Sequence, residues 1–389
     1  MINYFKNLLI KFKQAKTSKK IILCIILFFY LVIVLGCVIP IKCDYTSPGT
    51  LNRINSVISI NDENNTQDIR NNFYTVSVFS GTDNFSLFEY LLRNIDKKQE
   101  VKKYEASDHL FTTTEENRAG EAQKTQSIQD SIICAYELAK EDGYDVNLVK
   151  EYVGIMICYM PQNHYGTGPE SLQIKDIIIK IGDEDITSPL KLYEVCSYYL
   201  ENDRFKDSNI QSPKILIRRS GETFELDSCN TICLAQLAKF YEAAMSACER
   251  LNIINTYSYL TNYMFEYYDL NVNESTPSFN VNSAASIGPS GGLCQTLYVY
   301  NALTNNSLIE ENELITATGT ITYDGTVGPI GSVDKKVYTV DIYLSKYMFV
   351  PSYDYNDAME AYNQIKNPEF EVVSVSNVRD AINTLKGGN

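Results

Sequence analysis

Residues 277–303 read PSFNVNSAASIGPSGGLCQTLYVYNAL. Pro277 to Asn282 alternates polar and apolar side chains, the pattern of a strand with one buried face. From Leu293 onward, Leu293, Leu297, Val299, Tyr300 and Leu303 mark an apolar helix. Between the two lies Ala285-Ser286-Ile287, then Gly288-Pro289-Ser290-Gly291-Gly292. Glycine lets a backbone turn tightly and come close to another. The stretch therefore predicts strand, turn and helix, with Ser290 at the helix N-terminus. Unpaired N–H groups and the positive end of the helix dipole gather there. Such groups would stabilise an oxyanion formed at a reacting carbonyl. The same geometry also suits a plain turn or an anion site.

A hydroxyl nucleophile needs a base. The only two histidines, His109 and His164, both precede Ser290, which disfavours a Ser-His-Asp triad. The other base is a lysine kept neutral by burial, since desolvation disfavours the ammonium. Lys335, Lys336, Lys346, Lys366 and Lys386 follow Ser290. The first two stand after the turn Gly325-Thr-Val-Gly-Pro-Ile-Gly-Ser332, near the start of a helix predicted from Val333 to Tyr343. A cation is poorly placed at the positive end of a helix. That favours a neutral amine, against the plainer reading of a solvated helix start.

Upstream, the chain reads as two further blocks. In residues 43–142, Phe73 to Phe79 is a strand and Ser86 to Arg93 a short helix. Thr125 to Lys140 is a longer helix carrying Ile128, Ile132, Ala135 and Leu138 on one face, and Glu105 to Lys124 is a loop or frayed helix. In residues 144–228, Val153 to Tyr159 is a strand and an apolar strand ends at Gly182-Asp183. Leu190 to Leu200 is a helix, and Lys214 to Leu226 a hairpin around Ser220-Gly221. The third block, residues 231–389, opens on an amphipathic helix, Thr231 to Leu251. The fold class is α+β.

The middle block resembles a PDZ domain. The family pattern L-x-x-G-D-x-I-x-x-I-x-G appears as Leu172-Gln-Ile-Lys175-Asp176-Ile-Ile178-Ile-Lys-Ile181-Gly-Asp183, with Lys175 and Asp183 where the family has glycine. PDZ domains bind an extended peptide as an added strand. The resemblance implies peptide binding at Gly154, Ile155 and Met156.

Residues 277–387 resemble the proteolytic domain of Lon-type serine proteases. The G-P-S-A-G motif is Gly288-Pro289-Ser290-Gly291-Gly292. The motif T-G-x-I-T-x-x-G-x-V-x-P-I-G-G-x-x-x-K runs from Thr318-Gly319 through Pro329-Ile330-Gly331-Ser332 to Lys336. Tyr347 to Pro351, Phe370 to Val373 and Val378 to Ala381 match its closing strands and last helix. The resemblance implies Ser290 as nucleophile, Lys336 rather than Lys335 as general base, and Thr318 as the hydroxyl that bonds the lysine, with Gly288 and Gly291 shaping the loop. Gly291 replaces the usual alanine, and Ser332 replaces the second glycine of I-G-G. The chain as a whole resembles bacterial membrane-anchored PDZ–Lon proteins, whose N-terminal segment is similar to Phe73 to Leu92 and Ser127-Ile-Gln-Asp-Ser131. Self-assembly into rings is usual for Lon-type domains, so the resemblance implies a homo-oligomer.

The outer parts fix the setting. The net charge of −14 divides into +6 for residues 1–20 and −20 for the remainder. Lys6, Lys11, Lys13, Lys16, Lys19 and Lys20 precede Ile21 to Ile39, an uncharged apolar run long enough to cross a bilayer. Lysines on that flank predict a cytoplasmic stub (1–20), a span (21–39) and about 350 residues outside. A cleaved signal peptide is the competing reading. The acidic balance is a poor match to nucleic acid. The ten cysteines include no CxxC pair, so buried thiols are expected rather than a zinc site or a disulfide framework. No G-x-x-x-x-G-K-[ST] phosphate loop occurs. The expected function is thus ATP-independent, cofactor-free cleavage of unfolded or extended extracytoplasmic proteins and peptides. A catalytically inert PDZ-bearing adaptor is the alternative.

Overall fold

The computed structural model describes residues 16–61, 70–106, 112–160, 171–201, 213–226, 231–251, 260–282, 288–310, 313–343 and 345–387. His109, His164, Lys6, Lys11, Lys13, Cys229 and Ala285 to Ile287 lie outside the described residues. The fold is mixed α+β. It divides into two compact units, Met1–Pro48 with Phe79–Asp108, and Gly49–Val78 with His109–Asn389.

The first unit opens on α1 (Thr17–Val38), most of whose large apolar side chains are exposed. A helix of 22 residues that is apolar on every side is long and apolar enough to cross a membrane, or to act as a signal sequence. Three strands follow in chain order: β1 (Pro40–Arg53) and β3 (Phe73–Ser86), whose residues are divided between the two units, and β2 (Ile58–Asn61), which belongs to the second. Then come α2 (Leu87–Ile95) and β4 (Glu100–Lys103). In the first unit β4 pairs antiparallel with Cys43 to Thr46 of β1, and Cys43, Phe85 and Val101 form a small core.

Among the described residues the second unit holds three apolar cores. α3 (Thr113–Glu141) begins twelve residues before the helix expected at Thr125. Thr112 accepts from Glu115 N, and the Glu115 carboxylate returns the bond to Thr112 N. This reciprocal cap turns the polar stretch before Lys124 into helix from Thr113 onward. Next come β5 (Lys150–Ile157), β6 (Ile177–Ile181), β7 (Glu184–Asp185), α4 (Pro189–Glu201), β8 (Ile215–Arg219), β9 (Glu222–Leu226), α5 (Thr231–Leu251) and β10 (Met264–Leu270). Strands β10-β5-β6-β8-β9 form one sheet with antiparallel neighbours. Its core includes Ile155, Ile157 and Ile178, together with Leu234, Leu237 and Phe240 of α5 and Phe265 of β10.

Two expectations change here. The helix Thr231 to Leu251, and β10 after it, pack with the PDZ-like block rather than with the C-terminal block. That block therefore extends from about Lys150 to Leu270 rather than ending at 228. Gly154, Ile155 and Met156 are also not an open peptide-binding edge. They lie in β5 opposite Tyr267, Glu266 and Phe265, with Ile155 and Met156 also opposite Ile178 and Ile177 of β6. A side chain at Gly154 would strike the Ile178 carbonyl. Strand addition needs unpaired N–H and C=O groups, and β10 has taken that edge.

The rest of the chain supplies β11 (Ser278–Val281), α6 (Gly292–Leu303), β12 (Ile315–Ala317), β13 (Thr320–Ile321), β14 (Val327–Gly328), α7 (Val333–Val340), β15 (Tyr347–Pro351), α8 (Tyr355–Tyr362), β16 (Glu371–Val375) and α9 (Val378–Leu385). Strands β16, β15, β12 and β3 pair in that order, all parallel. α6 is buried along its whole length and packs against α3. Phe73, Ile132, Leu297, Tyr300 and Phe349 share this core. Residues 49–78 and α3 of the first block therefore form one structure with residues 278–387, and the second sheet is carried on the chain between them.

Candidate active site

Ser290 sits in a single turn of 3-10 helix, Pro289–Gly291, that leads directly into α6. Its carbonyl accepts from Gly319 N at 2.7 Å and from the Thr318 hydroxyl at 3.2 Å. Leu293 N donates to Gly319 O at 3.1 Å, so the nucleophile loop is laced to the Thr318-Gly319 segment on both sides of the turn. Close approach makes small residues necessary. A Cβ on Gly292 would lie 2.6 Å from Ile321 Cγ2, and one on Gly319 would lie 2.7 Å from Val327 Cγ1. A Cβ on Gly288 would meet open space, so that glycine is not needed for packing.

Lys336 lies on α7, and only 3% of it is exposed. Its Nζ donates to Thr318 Oγ1 at 3.1 Å. Thr318 is fully buried and touches both partners: it accepts from the lysine and donates to the Ser290 carbonyl. Burial pulls the Lys336 amine down to about 8, opposed by the Asp354 carboxylate. Asp354 accepts from Ile330 N at 2.9 Å, and burial pushes its carboxyl above the usual range. The neighbouring Lys335 is also buried, but its Nζ is tied to Asp334.

Ser290 and Lys336 line one cavity of about 360 Å³, together with Gly288, Pro289, Gly331 and Ser332. A larger cleft of about 1070 Å³ lies between α3 and β10 and includes neither Ser290 nor Lys336. The two hollows share Gly288 and Pro289, so the cleft opens beside the nucleophile turn. Its wall includes the apolar Ile128, Ile132 and Phe279.

Sequence reading placed Ser127-Ile-Gln-Asp-Ser131 only by likeness. These residues hold the nucleophile turn from behind. Ser127 Oγ donates to Pro289 O at 3.0 Å, and Ser131 Oγ to Gly292 O at 3.0 Å. Asp130 is fully buried and accepts from Gln126 and Gln129, at 2.6 and 3.1 Å. Gln126 also donates to Ile321 O, while the Gln129 amide bonds Glu266 O and Tyr268 N on the outer edge of β10. Burial raises the Asp130 carboxyl to about 7, against those two amide donors and with help from Glu266 and Asp324. One face of α3 thus reaches both the nucleophile turn and the second sheet. Polar residues at 126, 127, 130 and 131 are spaced for one helix face, and this was the signal available in the sequence.

No family profile and no curated protein matches the chain. The likeness to Lon-type proteases rests on the motifs.

Proposed function

We propose that the chain is a membrane-anchored serine endopeptidase that works without nucleotide. The observation that carries the reading is the relay Lys336 Nζ, Thr318 Oγ1, Ser290 carbonyl, with the lysine buried and serine and lysine in the same cavity. A buried amine without a carboxylate bonded to it costs stability. A buried amine of lowered basicity that also lines a cavity is a candidate for proton transfer.

In the proposed reaction Ser290 Oγ attacks the scissile carbonyl carbon, and its proton passes to the neutral Lys336 amine. The C–N bond then breaks, and the departing amine takes that proton. Water attacks the acyl-serine ester and gives a proton to Lys336, and the proton returns to Ser290 as the acid product leaves. Thr318 holds the amine in place throughout. A polypeptide approaches through the cleft between α3 and β10, with the PDZ-like sheet forming one wall and selecting substrates. α1 anchors the protein, and the lysine-rich flank keeps residues 1–20 in the cytoplasm.

The test is covalent labelling of Ser290 by a fluorophosphonate probe. Labelling that is lost in Ser290→Ala and strongly slowed in Lys336→Ala supports the reading. A chain that binds polypeptide but takes no label is the inert adaptor. A Gly120→Trp variant tests the approach route, since Gly120 lines the cleft and a side chain there meets open space. It should slow cleavage of an unfolded protein and spare a short peptide. Protease added to intact cells tests orientation, and full protection of the C-terminal region would overturn it.

A further inference from the structure

The first unit carries an apolar surface that the proposed protease does not use. Helix α2 is held at its start by a reciprocal cap, in which Ser86 Oγ accepts from Glu89 N and the Glu89 carboxylate accepts from Ser86 N. Phe88, Leu91, Leu92 and Ile95 are spaced i, i+3, i+4 and i+7, so they share one face. The two ends of that face differ. Phe88 packs on α1: a Cβ built on Gly36 would lie 2.4 Å from the Phe88 ring. Leu91, Leu92 and Ile95 are 48%, 66% and 76% exposed.

The position of this face limits what can cover it. Gly36 lies two residues from the end of α1, about 3 Å along the helix axis from its last residue. Leu87 N donates to Ile39 O at 3.1 Å, which ties the start of α2 to the exit of the span. If α1 crosses a bilayer, Phe88 stands at the level where acyl chains meet headgroups. The exposed leucines and isoleucine continue the same face from there. Asp96 closes the helix, and Lys97 and Lys98 follow it; all three are exposed, and the two lysines suit cations among lipid phosphates. Glu89 and Asn94, also exposed, lie away from the apolar face.

We propose that α2 is an interfacial helix, lying in the outer headgroup region of the same bilayer that α1 spans, with Leu91, Leu92 and Ile95 dipped into lipid. The occupant of the face is lipid because the face begins on the membrane helix itself, through Phe88 and Gly36. The proposal rests on the reading of α1 as an uncleaved span. It would fix the exit of the chain from the membrane as a docked corner rather than a free tether.

The chain contains no tryptophan, so one introduced indole reports alone. The full-length protein is placed in nanodiscs of phosphatidylcholine and phosphatidylglycerol, with lipids brominated either near the headgroup or deep in the chains. Leu92→Trp should be quenched about twofold or more by the shallow bromines and less by the deep ones, as for an interfacial depth. Leu31→Trp, within α1, should show the reverse order, and Asn94→Trp should be unquenched. Adding Leu91→Glu and Ile95→Glu should remove the quenching of Leu92→Trp and leave that of Leu31→Trp. If Leu31→Trp is quenched and Leu92→Trp is not, the proposal fails. A blue-shifted but unquenched Leu92→Trp then assigns the face to a second copy or another protein. If neither position is quenched, α1 is not in the bilayer and the proposal falls with that reading.

Discussion

Two buried charges in the second unit are treated in opposite ways. Asp176, before β6, is fully buried, and Arg219 closes on it with Nε and Nη2 at 2.6 Å each, while Gln173 N donates at 2.7 Å. Lys336, near the nucleophile turn, has a threonine hydroxyl at 3.1 Å as its hydrogen-bond partner. Burial disfavours both charges. The acid is repaid by a two-pronged cation and a backbone N–H; the amine is not repaid by a bonded carboxylate and shifts toward its neutral form. A buried ion with a full set of partners is costly to break by removing one of them. One without such a set is a candidate for proton transfer, as proposed for Lys336.

The sharpest way to break this comparison is to remove each charge. Ser290→Ala and Lys336→Met should each lower peptide cleavage by about 10⁴-fold or more, and the double variant should be no worse than either, as for residues that act as one unit. Lys336→Met should at the same time raise stability at neutral pH by roughly 1–3 kcal/mol, because the penalised ammonium is gone. Asp176→Ala should do the opposite. It leaves Arg219 facing an empty site and should cost about 3–5 kcal/mol in urea unfolding. A Lys336→Met variant less stable than the parent would show that the lysine is structural.

The comparison also sets a pH dependence. Cleavage should rise with pH to a half-maximum near 8, where Lys336 loses its proton, and fall about tenfold per unit well below that. The folded value lies below the ~10.4 of free lysine, so the unfolded chain holds more protons between those values, and stability should rise with pH across that window. Asp130 works in the other direction. Its carboxyl is raised to about 7, so the folded chain holds the extra proton and stability should decline as pH climbs from about 4 to 7. Asp130→Asn should flatten the lower window and Lys336→Met the upper one. A parent protein flat in both windows would remove the burial argument. Lys335→Ala should keep most of its activity, because that amine is tied to Asp334. A dead Lys335→Ala beside an active Lys336→Ala would move the base by one position.

Much of this was legible before any coordinates. Local patterns gave the strand, turn and helix around Ser290, the hairpin at Ser220-Gly221 and the positions of α4, α5 and α7. The hairpin turn shows why: Ser220 and Gly221 both take positive φ, 53° and 87°, as a two-residue turn requires. Pairing between distant segments was not legible. Nothing local in Met264 to Leu270 says that it will lie beside Lys150 to Ile157, yet that pairing closes the edge that Gly154 to Met156 was expected to present. β3 joins β12 across more than 200 residues for the same reason. The start of α3 is legible in the sequence as well, since Thr112 and Glu115 form a capping pair at the spacing of a helix N-terminus.

The smallest expected effect tests whether a departure from the Lon-type pattern matters. Ser332 stands where the motif has glycine, and it takes φ 55° and ψ 41°, the left-handed region. A side chain there costs roughly 1–2 kcal/mol, which glycine avoids while losing more entropy on folding. Ser332→Gly should therefore raise stability by only about 0.5–1 kcal/mol. The informative reading is activity, because Ser332 lines the same cavity as Ser290 and Lys336, and its carbonyl accepts from Lys336 N at 3.2 Å. Strain of this kind persists at sites where it is used. If Ser332→Gly is more stable and equally active, the serine is a neutral replacement and the turn alone aims the lysine. If it is more stable and slower, the Ser332 hydroxyl takes part in the cavity. That second result would make the strained residue, like the buried lysine one turn further on, a cost kept for the proposed reaction.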